Sequence, residues 1–167
     1  MSVLRRVRSA RIPAEVREAA GVGAGERVIA WGTNELPDTT HVIATGEALY
    51  LQGSRIPWRR VIRASWSEPF LELELHDERG HGQRLRVPIS TPRQLPAAVH
   101  AQVTANVIVS ERFDLPRGGT CLAAARREGR DEISWTVVFD AGVDPDDPQN
   151  RADADRALGE WRTALGI

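Results

Sequence analysis

Along FLELELHDERGHGQRLRVPI (residues 70–89) apolar and charged positions alternate on both sides of a polar break. Phe70, Leu71, Leu73 and Leu75 interleave with Glu72 and Glu74, and Leu85, Val87 and Ile89 with Arg84 and Arg86. A period of two sends each set to one face of a strand. The stretch therefore predicts an antiparallel hairpin with one wet face, turned at DERGHG. Glu72 and Glu74 then stand across from Arg84 and Arg86, which reads as cross-strand pairing rather than a catalytic set.

The same reasoning extends in both directions. In RIPAEVREAAGVGAGERV (11–28), Pro13 suits a first helical position, Val16, Ala19 and Ala20 share a helical face, and Gly21 is placed to end the helix. Val28-Ile29-Ala30-Trp31 follows as a buried strand. THVIATGEALYLQ (40–52) carries two short apolar runs around Thr45-Gly46-Glu47, a tight hairpin. SRIPWRRVIRASW (54–66) fits either a helix from Pro57 or a strand. Strands on both sides favour a bend at Ile56-Pro57-Trp58 and a strand from Val61, with Ile56, Trp58, Ile62, Ala64 and Trp66 turned inward. Thr91-Pro92-Arg93-Gln94 has the form of a capping box, and Leu95, Val99, Val103 and Val107 step by four along a helix that Pro96 places near its own position. The β-branched run Val107-Ile108-Val109 leaves the end of that helix open. TCLAAARR (120–127) and EISWTVVFD (132–140) predict a further hairpin. Asp147-Pro148 opens a final helix whose stripe is Ala154, Ala157, Leu158, Trp161 and Leu165, with Gly166 ending it.

Two local patterns invite comparison. Residues 11–28 resemble the helix-turn-strand of AbrB-type swapped-hairpin DNA-binding domains, a likeness that capping chemistry alone accounts for. The order of a strand ending in Trp31, the VIATGEALYL hairpin, the I-P-W-x-x-V-I bend, a charged-alternating hairpin and a capped helix resembles the bacterial pleckstrin-homology-like domains. That resemblance covers roughly residues 26–108. It implies an α+β fold, an antiparallel barrel or pair of split sheets with a closing helix. It makes Ile56, Pro57, Trp58 and Ile62 corner and core residues, places Thr45 in a turn, and lines the barrel with Leu49 and Leu51. Three regions are expected: an arm and short helix over 1–25, the pleckstrin-homology-like part over 26–110, and an added β-β-α unit over 115–167.

Composition narrows function mainly by exclusion. No stretch approaches the roughly 18 apolar residues of a membrane-spanning helix, and the basic start is not followed by an apolar secretory core. Cys121 stands alone, so an internal disulfide, a CxxC redox pair and a zinc finger are all unavailable. A cytoplasmic location is the expectation. All 22 basic residues are arginine, with a net charge of −1, which disfavours a broad nucleic-acid footprint. The charge is uneven: residues 1–66 hold 10 Arg against 6 acids, and residues 67–167 hold 12 against 17.

Among candidate chemistries, His76 and His81 flank a turn and lack partners for a metal. GVGAGE lies after a helix, the wrong order for a dinucleotide loop, and DPDDP lacks the spacing of a calcium loop. Cys121 lies in an apolar strand as a buried structural thiol. No catalytic residue, metal ligand or cofactor is assigned. One anionic-ligand surface is named: Arg5, Arg6 and Arg8 in the arm, with Arg55, Arg59 and Arg63 around the bend, Arg59 and Arg63 sharing a strand face. Solvated, ion-paired arginines are the simpler account of it. The leading expectation is a non-enzymatic interaction or adaptor module whose partner is a protein, another chain or a second copy of this one. An anionic-lipid or nucleic-acid binder and a small enzyme with an unrecognised pocket are the alternatives.

Overall fold

A computed structural model describes residues 11–35, 37–77, 79–127 and 133–166. It is α+β, with strands β1 (Val28–Asn34), β2 (Thr40–Thr45), β3 (Ala48–Leu51), β4 (Ser54–Pro57), β5 (Val61–Ser67), β6 (Phe70–His76), β7 (Gly82–Pro88), β8 (Val107–Asp114), β9 (Thr120–Arg127) and β10 (Ile133–Phe139). The helices are α1 (Ala14–Ala19), α2 (Leu95–Asn106) and α3 (Pro148–Leu165). The strands form three sheets, ordered β1-β2-β3-β4, β5-β6-β7 and β10-β9-β8, so the expected barrel is not closed. Among the described residues no helix is long and apolar enough to cross a membrane.

The chain divides into two compact units, one of residues 1–73 and 86–103, the other of 74–85 and 104–167. In the first, the core gathers Val22, Val28, Trp31, Ile43, Ala48 and Tyr50, against which Ile12, Val16 and Ala20 of the α1 region pack. Arg17 fastens the glycine-rich turn after α1 by donating to the carbonyls of Gly23, Ala24 and Glu26 at 2.6, 3.1 and 2.7 Å. The 54–66 stretch is a strand, a single 3-10 turn (Trp58–Arg60) and a second strand, as the proline and the apolar spacing require. Trp58 is 3% exposed and its indole N–H donates to the Thr45 carbonyl at 2.9 Å. Trp66 differs from expectation: it is half-buried and lines a cleft of about 260 Å³ with Leu71, Pro96, Ala97 and His100. Arg86 reaches Glu72 at 3.4 Å, the cross-strand pair anticipated from the alternation.

Thr91 does not cap α2. Its N–H and C=O both bond Thr33, at 2.9 and 3.1 Å, and the helix begins at Leu95. Leu95, Val99 and Val103 are buried as the four-residue step predicts. Val107 leaves the pattern because the β-branched run starts β8 directly after Asn106. The C-terminal sheet consequently has three strands rather than two. Its α3 side buries Leu115, Cys121, Phe139 and Ala154, with Phe113, Val137 and Val143 packed alongside. Asp147 caps α3 by accepting from the Gln149 N–H at 2.8 Å, and Gly166 closes it in a left-handed conformation.

Candidate functional site

Of the expected arginine surface, the described residues include Arg55, Arg59 and Arg63. Arg5, Arg6 and Arg8 lie outside the described residues. Arg55, on β4, donates its Nε to Glu26 at 3.3 Å and to the Tyr50 hydroxyl at 3.1 Å, and its Nη2 meets Glu47 at 3.2 Å. Arg59 stands in the 3-10 turn, not on the strand, so it does not share a strand face with Arg63, which is exposed on β5. Arg55 thus belongs to an internal network around Glu26. Tyr50 donates to Glu26 Oε1 and Thr45 to Oε2, each at 2.7 Å. Burial alone would raise the Glu26 carboxyl, but the Tyr50 and Thr45 bonds and the Arg55 charge outweigh it and hold it below the usual value. The Thr45 hydroxyl also accepts from the Ala48 and Glu47 amides, at 3.0 and 3.2 Å, which fixes the β2–β3 turn.

The second unit has a comparable ionic cluster. Arg112 bonds Asp140 through Nη1 and Glu74 through Nη2, the latter at 3.1 Å, while Thr120 also donates to Asp140. Arg84 lies 3.7 Å from Glu74, the second pair foreseen in the hairpin, and 3.8 Å from Asp140. Burial would raise Asp140, but Arg112, Thr120 and Arg84 hold it low. Beside it the buried Cys121 thiol is pushed up to about 11, chiefly by burial and then by the Asp140 charge, so it stays protonated at neutral pH. Held low, Asp140 is not poised as a base, nor is Glu26, and the protonated Cys121 thiol is not poised as a nucleophile. Among the described residues no three His, Cys, Asp or Glu side chains gather as a metal site.

A different feature of this unit is open. β10 is an edge strand. Asp140 donates its N–H to Thr120 on β9, whereas Phe139 donates to Gly80 of the β6–β7 turn, each at 3.0 Å. In an antiparallel ladder alternate residues bond to alternate sides, so the N–H and C=O groups of Val137, Trp135 and Ile133 point away from β9, as Phe139's do. Their side chains share the α3 face: Val137 and Phe139 belong to the core, and Trp135 meets Trp161 edge-on at 5.4 Å. Phe113 contacts Trp161 from the other side at 5.5 Å, and Arg162 lies over Trp135 at 5.3 Å.

The β6–β7 turn is seated against β10 by glycine. A Cβ on Gly82 would stand 2.9 Å from the Phe139 carbonyl oxygen, and one on Gly80 would stand 3.1 Å from that of Val137. Asp77 fixes the turn by accepting from the Arg79 and His81 amides at 2.9 and 2.8 Å and pairing with the His81 ring at 2.9 Å. His81 is thus engaged within the turn, and His76 Nδ1 sits 3.0 Å from the Asp77 carbonyl. Arg151 of α3 donates to the Arg79 carbonyl at 3.2 Å and so ties the turn to the helix.

Between the turn, β10 and α3 lies a groove of about 380 Å³. The turn contributes His76, Asp77, Arg79 and Gly80, β10 gives Trp135 through Val137 and Phe139, and α3 gives Arg151, Ala154, Asp155 and Leu158. The sequence pattern predicts the strand and the helix stripe but not this groove. The available signal was the parity of Ile133, Trp135, Val137 and Phe139, all large and on one face, together with the i, i+4 spacing of Arg151 and Asp155. Compared with family models, curated proteins and solved structures, the chain gives no match.

Proposed function

We propose that this protein is a non-enzymatic interaction module that captures an extended segment of a partner protein along the outer edge of β10. The observation that carries the proposal is the pairing of outward-pointing strand backbone with a neighbouring groove. Main-chain donors and acceptors at Ile133 and Trp135, with the Val137 N–H, run beside a trough lined by Trp135, Val137 and Leu158 together with charged side chains of the turn and α3. An added strand would gain backbone hydrogen bonds from the edge and side-chain burial from the trough. Trp and Arg are also the residue types that dominate binding energy at protein interfaces, and Trp135, Trp161 and Arg162 adjoin one another here.

For the first part of the chain we propose the pleckstrin-homology-like reading in its split-sheet form. Its support is the succession of four strands, the Ile56-Pro57-Trp58 corner, three strands and a helix. The anionic-ligand alternative is weakened by the engagement of Arg55 with Glu26 and Glu47, which leaves less free positive charge at the bend.

Panning a displayed library of random peptides against the full chain tests the reading. Peptides retained by the wild type, surviving high salt and lost on Trp135→Ala, are the expected result. Failure to retain any peptide, or binding of phosphate-bearing ligands that vanishes with modest salt, would overturn it.

A further inference from the structure

Resting on the β10 reading, we propose that the groove receives the C-terminal end of a partner chain, with the free α-carboxylate held by Arg79 and Arg151 and apolar terminal side chains lying on Trp135 and Val137. The argument starts from where the groove stops. Gly80 occupies the outward bond of Phe139, and the turn lies in the same lane that an added strand would follow along Val137 and Trp135. The bridge between His81 and Phe139 is parallel, so the chain entering β7 runs in the direction of β10. A segment laid along the remaining edge in that same direction runs head-on into the turn. Its last residue must therefore end there, and what it presents to the turn is its C-terminus.

The side chains at that blocked end suit a carboxylate. Arg79 is exposed and lines the groove beside Gly80. Arg151 is anchored by its bond to the Arg79 carbonyl and lies 3.7 Å from Asp146, an exposed pair that a better-placed carboxylate can displace. Of the acids nearby, Asp77 is already taken up by two amides and the His81 ring, so its charge is internally answered. Asp155 lies one helical turn beyond Arg151. It is set to meet a donor upstream on the ligand rather than its terminus. His76 also lines this end of the groove. Away from the turn the lining becomes apolar, with Val137, Leu158 and Trp135. The volume, about 380 Å³, lies at the small end of the range for ligand sites and suits the last few residues of a chain rather than a long segment.

The test uses random peptides displayed with a free C-terminus. Selected sequences are then synthesised as acid and as amide and titrated against the full chain by fluorescence anisotropy. We expect apolar residues to be enriched at the terminal positions. We expect amidation to weaken binding about tenfold or more, the loss of a charge-assisted bond. Arg79→Gln, at an exposed turn position, should produce a similar loss for the acid and almost none for the amide. Arg151→Lys should recover part of the affinity lost by Arg151→Gln. Acid and amide binding equally well would overturn the carboxylate reading while leaving capture along β10 standing. Retention of neither terminal nor internal peptides would overturn both.

Discussion

Two tryptophans of the first unit, Trp31 and Trp58, contrast with two of the second, Trp135 and Trp161, while Trp66 of the first unit is itself half-buried beside a cleft. In the first, Trp58 is sealed in the core with its N–H satisfied by Thr45, and Trp31 is 9% exposed with its N–H donated to the Arg11 carbonyl and Arg93 stacked on its ring. In the second, Trp135 and Trp161 are half-buried and packed edge to face, and Trp135 lines an open groove. The first arrangement spends aromatic surface on folding. The second leaves part of it exposed, in the unit that holds the edge strand β10.

The comparison is broken most severely at Trp58. Trp58→Ala should destabilise the first unit by about 3–5 kcal/mol, the range for emptying a buried aromatic site, measured by chemical denaturation. Glu26→Gln should cost about 1–3 kcal/mol, because the charged acceptor of Tyr50, Thr45 and Arg55 is lost. It should also flatten the acid limb of the stability profile. Since the folded Glu26 carboxyl lies below its ordinary 4.5, its contribution is complete above that value and disappears as pH falls through the lower folded one. Urea melts across that interval would show the wild type losing more stability than the variant. Equal slopes would remove Glu26 from the account.

In the second unit, Gly82→Ala should cost about 1–3 kcal/mol by forcing the turn off Phe139, and hydrogen exchange at the Phe139 amide should accelerate with it. Trp135→Ala should cost only about 1–2 kcal/mol of stability, as expected for a side chain that is only partly buried, yet abolish peptide capture. A large stability loss without a binding defect would make Trp135 a second Trp58. Arg63→Gln, exposed on β5, should change stability by less than about 0.5 kcal/mol and leave binding unchanged.

Much of the local fold was legible because its signals are local. The Glu72–Arg86 and Glu74–Arg84 pairs follow from a two-residue period, the 54–66 corner from a proline between apolar residues, and the α3 cap from Asp147-Pro148. What escaped depends on partners distant in sequence. Thr91 had the form of a cap but was drawn into a bridge with Thr33. Val107 kept the helical step yet joined β9, where a β-branched run gains more from a ladder than from another helical turn. The groove was hidden for the same reason. It is assembled from a turn, an edge strand and a helix face, and the glycines that let the turn approach β10 read in sequence only as turn residues. For the arginines, ion pairing is the simpler expectation and Arg55 meets it with Glu47, while its second partner Glu26 and the Glu74 and Asp140 partners of Arg112 are set by the fold.

Residue-resolved amide hydrogen exchange along β10, without and with a selected peptide, tests the central claim most directly. In the free protein the Trp135 and Val137 amides should exchange quickly while those of Thr136 and Val138 are protected by β9, and bound peptide should slow the fast pair. Strong protection of Trp135 and Val137 in the free chain, or exchange unaltered by a bound peptide, would contradict an available β10 edge.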